Sequence, residues 1–380
     1  MNMQQGQPAQ RSVGVEEELL LVDEQSGVPL AVVDAVLASW SAPAHLDPSE
    51  PPHTPQLEHE VKAEQIEVIS PPFVEIAELV DSIIEGRRIA DQAAQRVGAR
   101  AVALATSVLP VESQLVHSAR YEAIRAQSGL TLKEQLTCGF HVHVGVSSED
   151  EGVAVLDRIR PWLATLLALS SNSPFWMGRD TGYASFRSQV WNRWPTAGPY
   201  DVFGSAAKYR RTVRSLRGTG VLLDPGMVYF DARLCEHFPT VEIRVADVCT
   251  ASEHAGAIAS LVRGLVETAS REWRRGVAPD PTPTTMLRLA SWSASRFGVE
   301  GTLQDPALGT PRPAAQVVQD LLAHVAPTLT GELELSRVEI AVDEILRNGS
   351  GAKRQRSTLQ RTGSRRAVVA ESIEVTNRAA

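Results

Sequence analysis

Four short stretches of this chain alternate apolar and polar positions, and their polar positions are mostly acids, imidazoles or a guanidinium. They are Val15-Glu16-Glu17-Glu18-Leu19, Gln65-Ile66-Glu67-Val68, Phe140-His141-Val142-His143-Val144-Gly145 and Val241-Glu242-Ile243-Arg244-Val245. A period of two predicts strands, which send residues i and i+2 to one face. Glu16 then sits with Glu18, Gln65 with Glu67, His141 with His143, and Glu242 with Arg244. An alternating strand is ordinarily half-buried with its polar face in water. Exposed strand faces favour Thr, Lys and mixed polar residues, however, and three of these four carry Glu. Faces of this kind lining one concavity would make a poor core and a good holder of divalent cations and phosphates.

The rest of the pattern predicts strands at 12–22, 60–70, 101–109, 137–147, 226–234 and 239–248, the last two as a hairpin. Apolar spacing of the helical kind predicts helices at 74–100, 118–128, 150–171, 206–218, 252–275, 284–297, 312–327 and 334–347. Four prolines mark 45–56 as a loop, and 175–205 reads as an irregular stretch rich in Gly, Trp and Arg. Strands gather in the first two-thirds and helices in the last third. That order predicts an α+β fold with a mainly antiparallel sheet. Residues 1–10 read as a disordered lead, 11–350 as a single domain and 351–380 as a basic C-terminal tail.

Composition narrows the partners. The 380 residues carry 37 Lys plus Arg against 45 Asp plus Glu, a net charge of -8, which argues against nucleic acid as a partner. A nucleotide remains open, because metal and a few arginines can meet its phosphates. No apolar run reaches membrane length, and the N-terminus does not read as a signal peptide. Cys138, Cys235 and Cys249 lack metal-type spacing and read as reduced thiols of a cytoplasmic protein.

Several further segments, in order, carry a resemblance. They are Gly14-Val15-Glu16-Glu17-Glu18, Glu64-Gln65-Ile66-Glu67-Val68, Cys138-Gly139-Phe140-His141-Val142-His143-Val144-Gly145, Gly182-Tyr183-Ala184-Ser185-Phe186-Arg187 and Arg193-Trp194-Pro195. Tyr229-Phe230-Asp231-Ala232-Arg233-Leu234, Pro239 through Val248 and Gly351-Ala352-Lys353-Arg354-Gln355-Arg356 complete the set. The chain resembles the carboxylate–amine ligases, often labelled glutamate–cysteine ligase type 2. The resemblance implies a glutamine-synthetase-like fold, an antiparallel sheet curved into an open funnel with helices outside. It makes 11–350 a catalytic ligase domain. It also implies ATP and Mg²⁺, with Mn²⁺ as an alternative. ATP would phosphorylate a carboxylate, by default the γ-carboxylate of L-glutamate. An amine, by default L-cysteine, would then displace phosphate. Small-molecule acid and amine partners are expected, with a homo-oligomer left open.

Under this resemblance Glu16, Glu18, Glu67 and Glu242 are metal ligands, with Glu60 a weaker candidate beside Glu58 and Glu64. Glu17 faces the other way and reads as structural. His141 would contact metal or phosphate in catalysis. Arg244, whose planar fork suits phosphate, would serve both catalysis and nucleotide binding. Arg233 shares a face with Asp231 and Tyr229 and is assigned to the nucleotide, together with Arg354 and Arg356 from the tail. Arg187, Arg193 and His143 are assigned to substrate. Ser293 stands where the family often has Arg, which bears on substrate choice. Two other readings compete. A metal-dependent hydrolase would use the His-x-His pair, but His237, His254 and His324 show no ligand pattern. A non-catalytic ligand-binding relative would not need the acids at all four main positions.

Overall fold

The computed structural model describes residues 10–40, 54–329 and 331–378. The expected lead at 1–10 and the loop at 45–56 fall mostly outside them. Seven strands build the main sheet: β1 (Val13–Asp23), β2 (Gln56–His59), β3 (Gln65–Ile69), β4 (Ala99–Val102), β5 (Gly139–Gly145), β6 (Ala232–Leu234) and β7 (Thr240–Asp247). Their order is β2-β3-β1-β5-β7-β6, with β4 paired to the far end of β1, and every pairing is antiparallel. The sheet is open, with helices against its outer side.

Periodicity explains which side is which. Val13 and Val15 of β1, Phe140, Val142 and Val144 of β5, and Val241 and Ile243 of β7 are buried in one apolar cluster with the helices Glu149–Ile159, Leu163–Ser170 and Ser252–Arg274. A second cluster joins the all-apolar end of β1, Leu19 to Val22, to β4 and the helix Ile76–Gln95. That helix lies close over β3: a Cβ on Gly86 would stand 2.5 Å from Val68 Cγ1, so only glycine permits the approach.

Several expected elements come out shorter. The 60–70 strand keeps only β3, and a separate strand, β2, precedes it as its antiparallel neighbour, with Glu60 in the link between them. Of 101–109 only the start is strand. The rest is buried and irregular, its backbone met from elsewhere: Cys138 N donates to Ala105 O, and Asn172 Nδ2 to Ala103 O. Pro161, which lacks an N–H, falls in a 3₁₀ turn (Arg160–Trp162) that divides the 150–171 helix. The 226–234 strand keeps only Ala232–Leu234, because Pro225–Met227 turns as 3₁₀.

The basic stretch set apart as a tail forms two helices, Gly351–Thr362 and Arg365–Thr376, that pack against the domain. Gln355 Nε2 donates to Asn172 O at 2.8 Å, and Ala103 N to Thr376 Oγ1 at 3.1 Å. The 175–205 stretch is anchored too. Buried Asp247 accepts from Asn172 N, Ser173 Oγ and Ser185 Oγ at 2.6–2.9 Å. A short helix, Phe186–Trp191, starts there and brings Arg187 beneath the sheet.

Candidate active site

Strand register gathers the predicted side chains. Glu16 is directly opposite His141, Glu18 opposite Glu67, His143 opposite Glu242, and Arg233 opposite Glu242. Cross-strand partners on one face stand within contact of each other. His141 Nδ1 lies 3.2 Å from Glu16 Oε2, and His143 Nε2 lies 3.1 Å from Glu16 Oε1. Arg233 Nε reaches Glu242 Oε2 at 2.6 Å, and Arg244 holds the other oxygen of the same carboxylate. Glu18 accepts from Gly139 N at 2.6 Å. A bulge sets His141 of β5 against both Arg244 and Val245 of β7. Bulges of this kind re-aim side chains beside active sites. Arg187 approaches the two carbonyls at the bulge, of Arg244 and Val245, at 3.4 Å.

Charges in the cluster are unevenly matched. Burial raises Glu16, but its hydrogen bonds to His141 and His143 outweigh that and hold it well below the usual carboxylate range. Burial opposes Glu242 likewise, and the neighbouring Arg244 and Arg233 hold it low. Glu67 is pushed well above the usual range by burial and then by the charges of Glu16, Glu60 and Glu18. Burial and the charge of Glu18 push Glu60 up to about 8. Burial and Arg244 lower His141. Burial opposes protonation of His143, but Cys235, Glu16 and Glu242 raise it to about 10. The cluster thus holds carboxylates that its own cations leave unbalanced, which marks a functional site on physical grounds.

The residues fit a divalent cation. Ligand atoms of Glu16, His143 and Glu242 lie within 4.8 Å of one another, as do those of Glu16, Glu67 and His141. Glu16 belongs to both groups. His141 Nε2 is buried without a hydrogen-bond partner. Carboxylate oxygens suit Mg²⁺ and Mn²⁺, and an imidazole in the set is the softer donor of the two kinds.

Two cavities meet at the cluster. An inner chamber of about 250 Å³ is bordered by Glu18, Glu60, Glu67, His141 and Arg244, with an aromatic wall opposite. A wider cleft of about 790 Å³ is bordered by His143, Cys235 and Glu242 and by Arg210, Arg214 and Arg217. Glu16, Gly226 and Arg233 edge both.

The structure therefore brings together Glu16, Glu18, Glu60, Glu67, His141, His143, Arg233, Glu242 and Arg244. It leaves others apart. Arg356 pairs with Asp180 at 2.6 Å, and Arg354 with Glu344 at 3.4 Å. Neither borders the two cavities. Arg193 pairs with Glu134 and borders a neighbouring cavity. Ser293 donates to Thr302 O, away from the cluster. Glu17 meets Arg87 on the outer face, as its parity predicts.

Sequence reading missed the cleft's arginines. Their signal was present, since 210, 214 and 217 recur at i, i+4 and i+7 on the helix Ala206–Gly218. It also missed Cys235, whose thiol burial raises but whose hydrogen bond from His143 holds below the ordinary range.

The sequence matches the description Glutamate-cysteine ligase family 2 (GCS2) over residues 12–374. The chain belongs to this family. It is 50% identical over 376 residues to the "Putative glutamate--cysteine ligase 2-1" of Paenarthrobacter aurescens strain TC1, covering 98% of this chain and 96% of that one. It is 48% identical to the "Putative glutamate--cysteine ligase 2" of Streptomyces coelicolor, covering 97% and 100%. Among solved structures, the glutamate–cysteine ligase of Francisella tularensis in complex with AMP aligns with a TM-score of 0.69 at 12% identity, over 97% of this chain and 88% of that one. The ligase PafA, in complex with the ubiquitin-like protein Pup, aligns at 0.52 and 14%, over 96% and 72%. The expected glutamine-synthetase-like architecture is thus the one observed: a mainly antiparallel open sheet with helices outside. Among the described residues no helix is long and apolar enough to cross a membrane.

Proposed function

We propose that this member of the family is an ATP-dependent ligase that joins a carboxylate, by default the γ-carboxylate of L-glutamate, to an amine through an acyl phosphate. The observation that carries this reading is the shared Glu16. It links two metal-competent groups at the point where a basic cleft meets an acid-lined chamber. Phosphoryl transfer needs alignment and charge neutralisation more than a protein nucleophile. A divalent cation held by Glu16, Glu242, Glu67 and the two histidines would neutralise and align the phosphates.

The chain's own residues supply the rest. Arg210, Arg214 and Arg217 draw the nucleotide into the cleft. Arg233 at the junction and Arg244 in the chamber beside it meet the charge that develops on the transferred phosphoryl group. A carboxylate oxygen in the chamber attacks the γ-phosphorus, the bond to ADP breaks, and ADP leaves with the electron pair. The amine nitrogen then attacks the acyl carbon. The C–O bond to phosphate breaks, phosphate departs with its electrons, and the surplus ammonium proton passes to solvent. The work is cytoplasmic, on free small molecules. By the family name the amine would be cysteine.

Hydroxylamine tests the acyl phosphate. With ATP, Mg²⁺ and L-glutamate the protein should form a hydroxamate, with ADP and phosphate in equal amounts. Release of AMP and pyrophosphate instead would refute the route.

A further inference from the structure

The inner chamber differs from the cleft in its far wall. That wall is Tyr121, Ile124, Leu132, Trp191, Trp194 and Tyr229. All six belong to a third apolar cluster, and of them Tyr121 also packs against the cluster around β4. Tyr229 packs edge-on against both indoles, with ring centres 4.9 Å from Trp191 and 5.5 Å from Trp194. Trp194 is itself oriented, its Nε1 donating to Gln135 Oε1 at 3.1 Å. Trp194 and Tyr229 also border a second cavity of about 240 Å³, closed by Val221, Leu222 and Met227 and edged by Thr131. Two chambers thus share one aromatic wall, and together they exceed what a small side chain would fill.

The cations of these walls are already matched. Arg120 holds Asp224 through Nε at 2.6 Å and Nη2 at 3.2 Å. Arg233 and Arg244 both hold Glu242, and Arg193 holds Glu134. Phosphates would compete first for the two that share Glu242. The α-carboxylate of the donor glutamate would already have to claim one of these pairs, and an amine bearing its own carboxylate would have to break a second. An apolar or aromatic substituent would instead be desolvated against rings that offer large, rigid contact.

We propose that the acceptor is a primary amine carrying a bulky apolar or aromatic substituent, which lies against the Trp191–Tyr229–Trp194 wall and extends into the second chamber. This rests on the ligase reading above and replaces its default amine, cysteine.

The test compares acceptors of different size with ATP, Mg²⁺ and L-glutamate: hydroxylamine, cysteine and 2-phenylethylamine. The kcat/KM for 2-phenylethylamine should exceed that for cysteine by about tenfold or more, the scale on which apolar pockets discriminate. Thr131→Trp, which fills the second chamber, should lower the ratio of kcat/KM for 2-phenylethylamine to that for hydroxylamine by about tenfold. Val221→Trp, on the exposed rim, should do the same and guards against misfolding of the first variant. Cysteine preferred over 2-phenylethylamine, or an unchanged ratio in both folded variants, would overturn the proposal.

No hydroxamate with glutamate would count against the ligase reading or its donor acid. Equilibrium dialysis of 2-phenylethylamine then decides this inference separately. Saturable binding weakened by Val221→Trp supports the chamber, and the lack of saturable binding overturns it.

Discussion

Consecutive residues of β1 put carboxylates into two opposite situations. Glu17 points outward into the core and is fully met. Arg87 holds it through Nε at 2.9 Å and Nη2 at 2.6 Å, while the remaining guanidinium donors go to the carbonyls of Cys249 and Thr250. Glu16 and Glu18 point inward beside Glu60 and Glu67, whose carboxyls burial and the neighbouring acids push up toward the neutral form. The outer carboxylate fixes the fold. The inner ones meet a cost of ionising together that a bound cation would relieve. Burial alone does not separate the two roles, since Glu17, Glu18 and Glu242 are all buried. The number and kind of partners does.

The largest expected effect is on the outer face. Glu17→Ala leaves Arg87 charged and buried without its partner. Breaking such a pair typically costs about 3–5 kcal/mol. Urea unfolding should show a loss of that size, and the double variant Glu17→Leu/Arg87→Met should recover most of it. A loss below about 1 kcal/mol, the scale of an exposed pair, would deny the pair its anchoring role.

The inner face should respond in the opposite way. Glu67→Gln removes a carboxylate that its neighbours repel, so the ligand-free protein should become more stable. Ligation should fall by roughly a hundredfold or more, the cost of losing one charge contact at a phosphoryl-transfer centre. Stability and turnover falling together would put Glu67 with Glu17 and erase the contrast.

Much of this contrast was legible in the chain, because strand parity is local. Val15-Glu16-Glu17-Glu18-Leu19 already assigns Glu17 one face and its neighbours the other, and His-x-His and Glu-x-Arg follow the same rule. Which strand lies beside which is not local. The pairings of Glu16 with His141 and of His143 with Glu242 join residues more than 90 positions apart. The bulge at Arg244–Val245 has no composition signal of its own. Glu60 arrives from the link between β2 and β3 rather than from the predicted strand, so its place depends on the path of the chain. Arg354 and Arg356 show the same limit: basic charge is visible in the sequence, but the acids that each meets, Glu344 and Asp180, are not.

Acid unfolding sharpens the comparison further. Buried Glu151 is held below the ordinary carboxylate range. Burial opposes this, but Arg11 and Ser147 lead the hydrogen bonds that lower it. Its folded value is therefore depressed, so its contribution is complete above the unfolded value and is lost as pH falls through the folded one. Glu67 has the reverse sign. Its folded value is raised, so its destabilising contribution appears as pH rises above the unfolded value. Glu151→Gln should flatten the loss of stability below about pH 4, near the ordinary Glu value. Glu67→Gln should add stability at pH 7 and little near pH 3. Parallel stability–pH curves for the two variants would contradict these signs.

The smallest effect is expected where charge is plentiful but exposed. Arg356 reaches Asp180 and the Tyr183 carbonyl, and Arg354 reaches Glu344, all with substantial solvent contact. Exposed pairs contribute about 0–1 kcal/mol, because water screens them and ordering two long side chains costs entropy. Arg354→Ala and Arg356→Ala should thus change unfolding free energy by no more than about 1 kcal/mol. They should leave the KM for ATP within roughly twofold, well below the tenfold that 1.4 kcal/mol would give. Arg210→Ala and Arg214→Ala in the cleft should raise that KM by more. If the tail arginines instead moved it as far as the cleft arginines did, the nucleotide would have to approach from the side of Gly351–Thr362. The cleft beside Glu242 would then lose its assigned role.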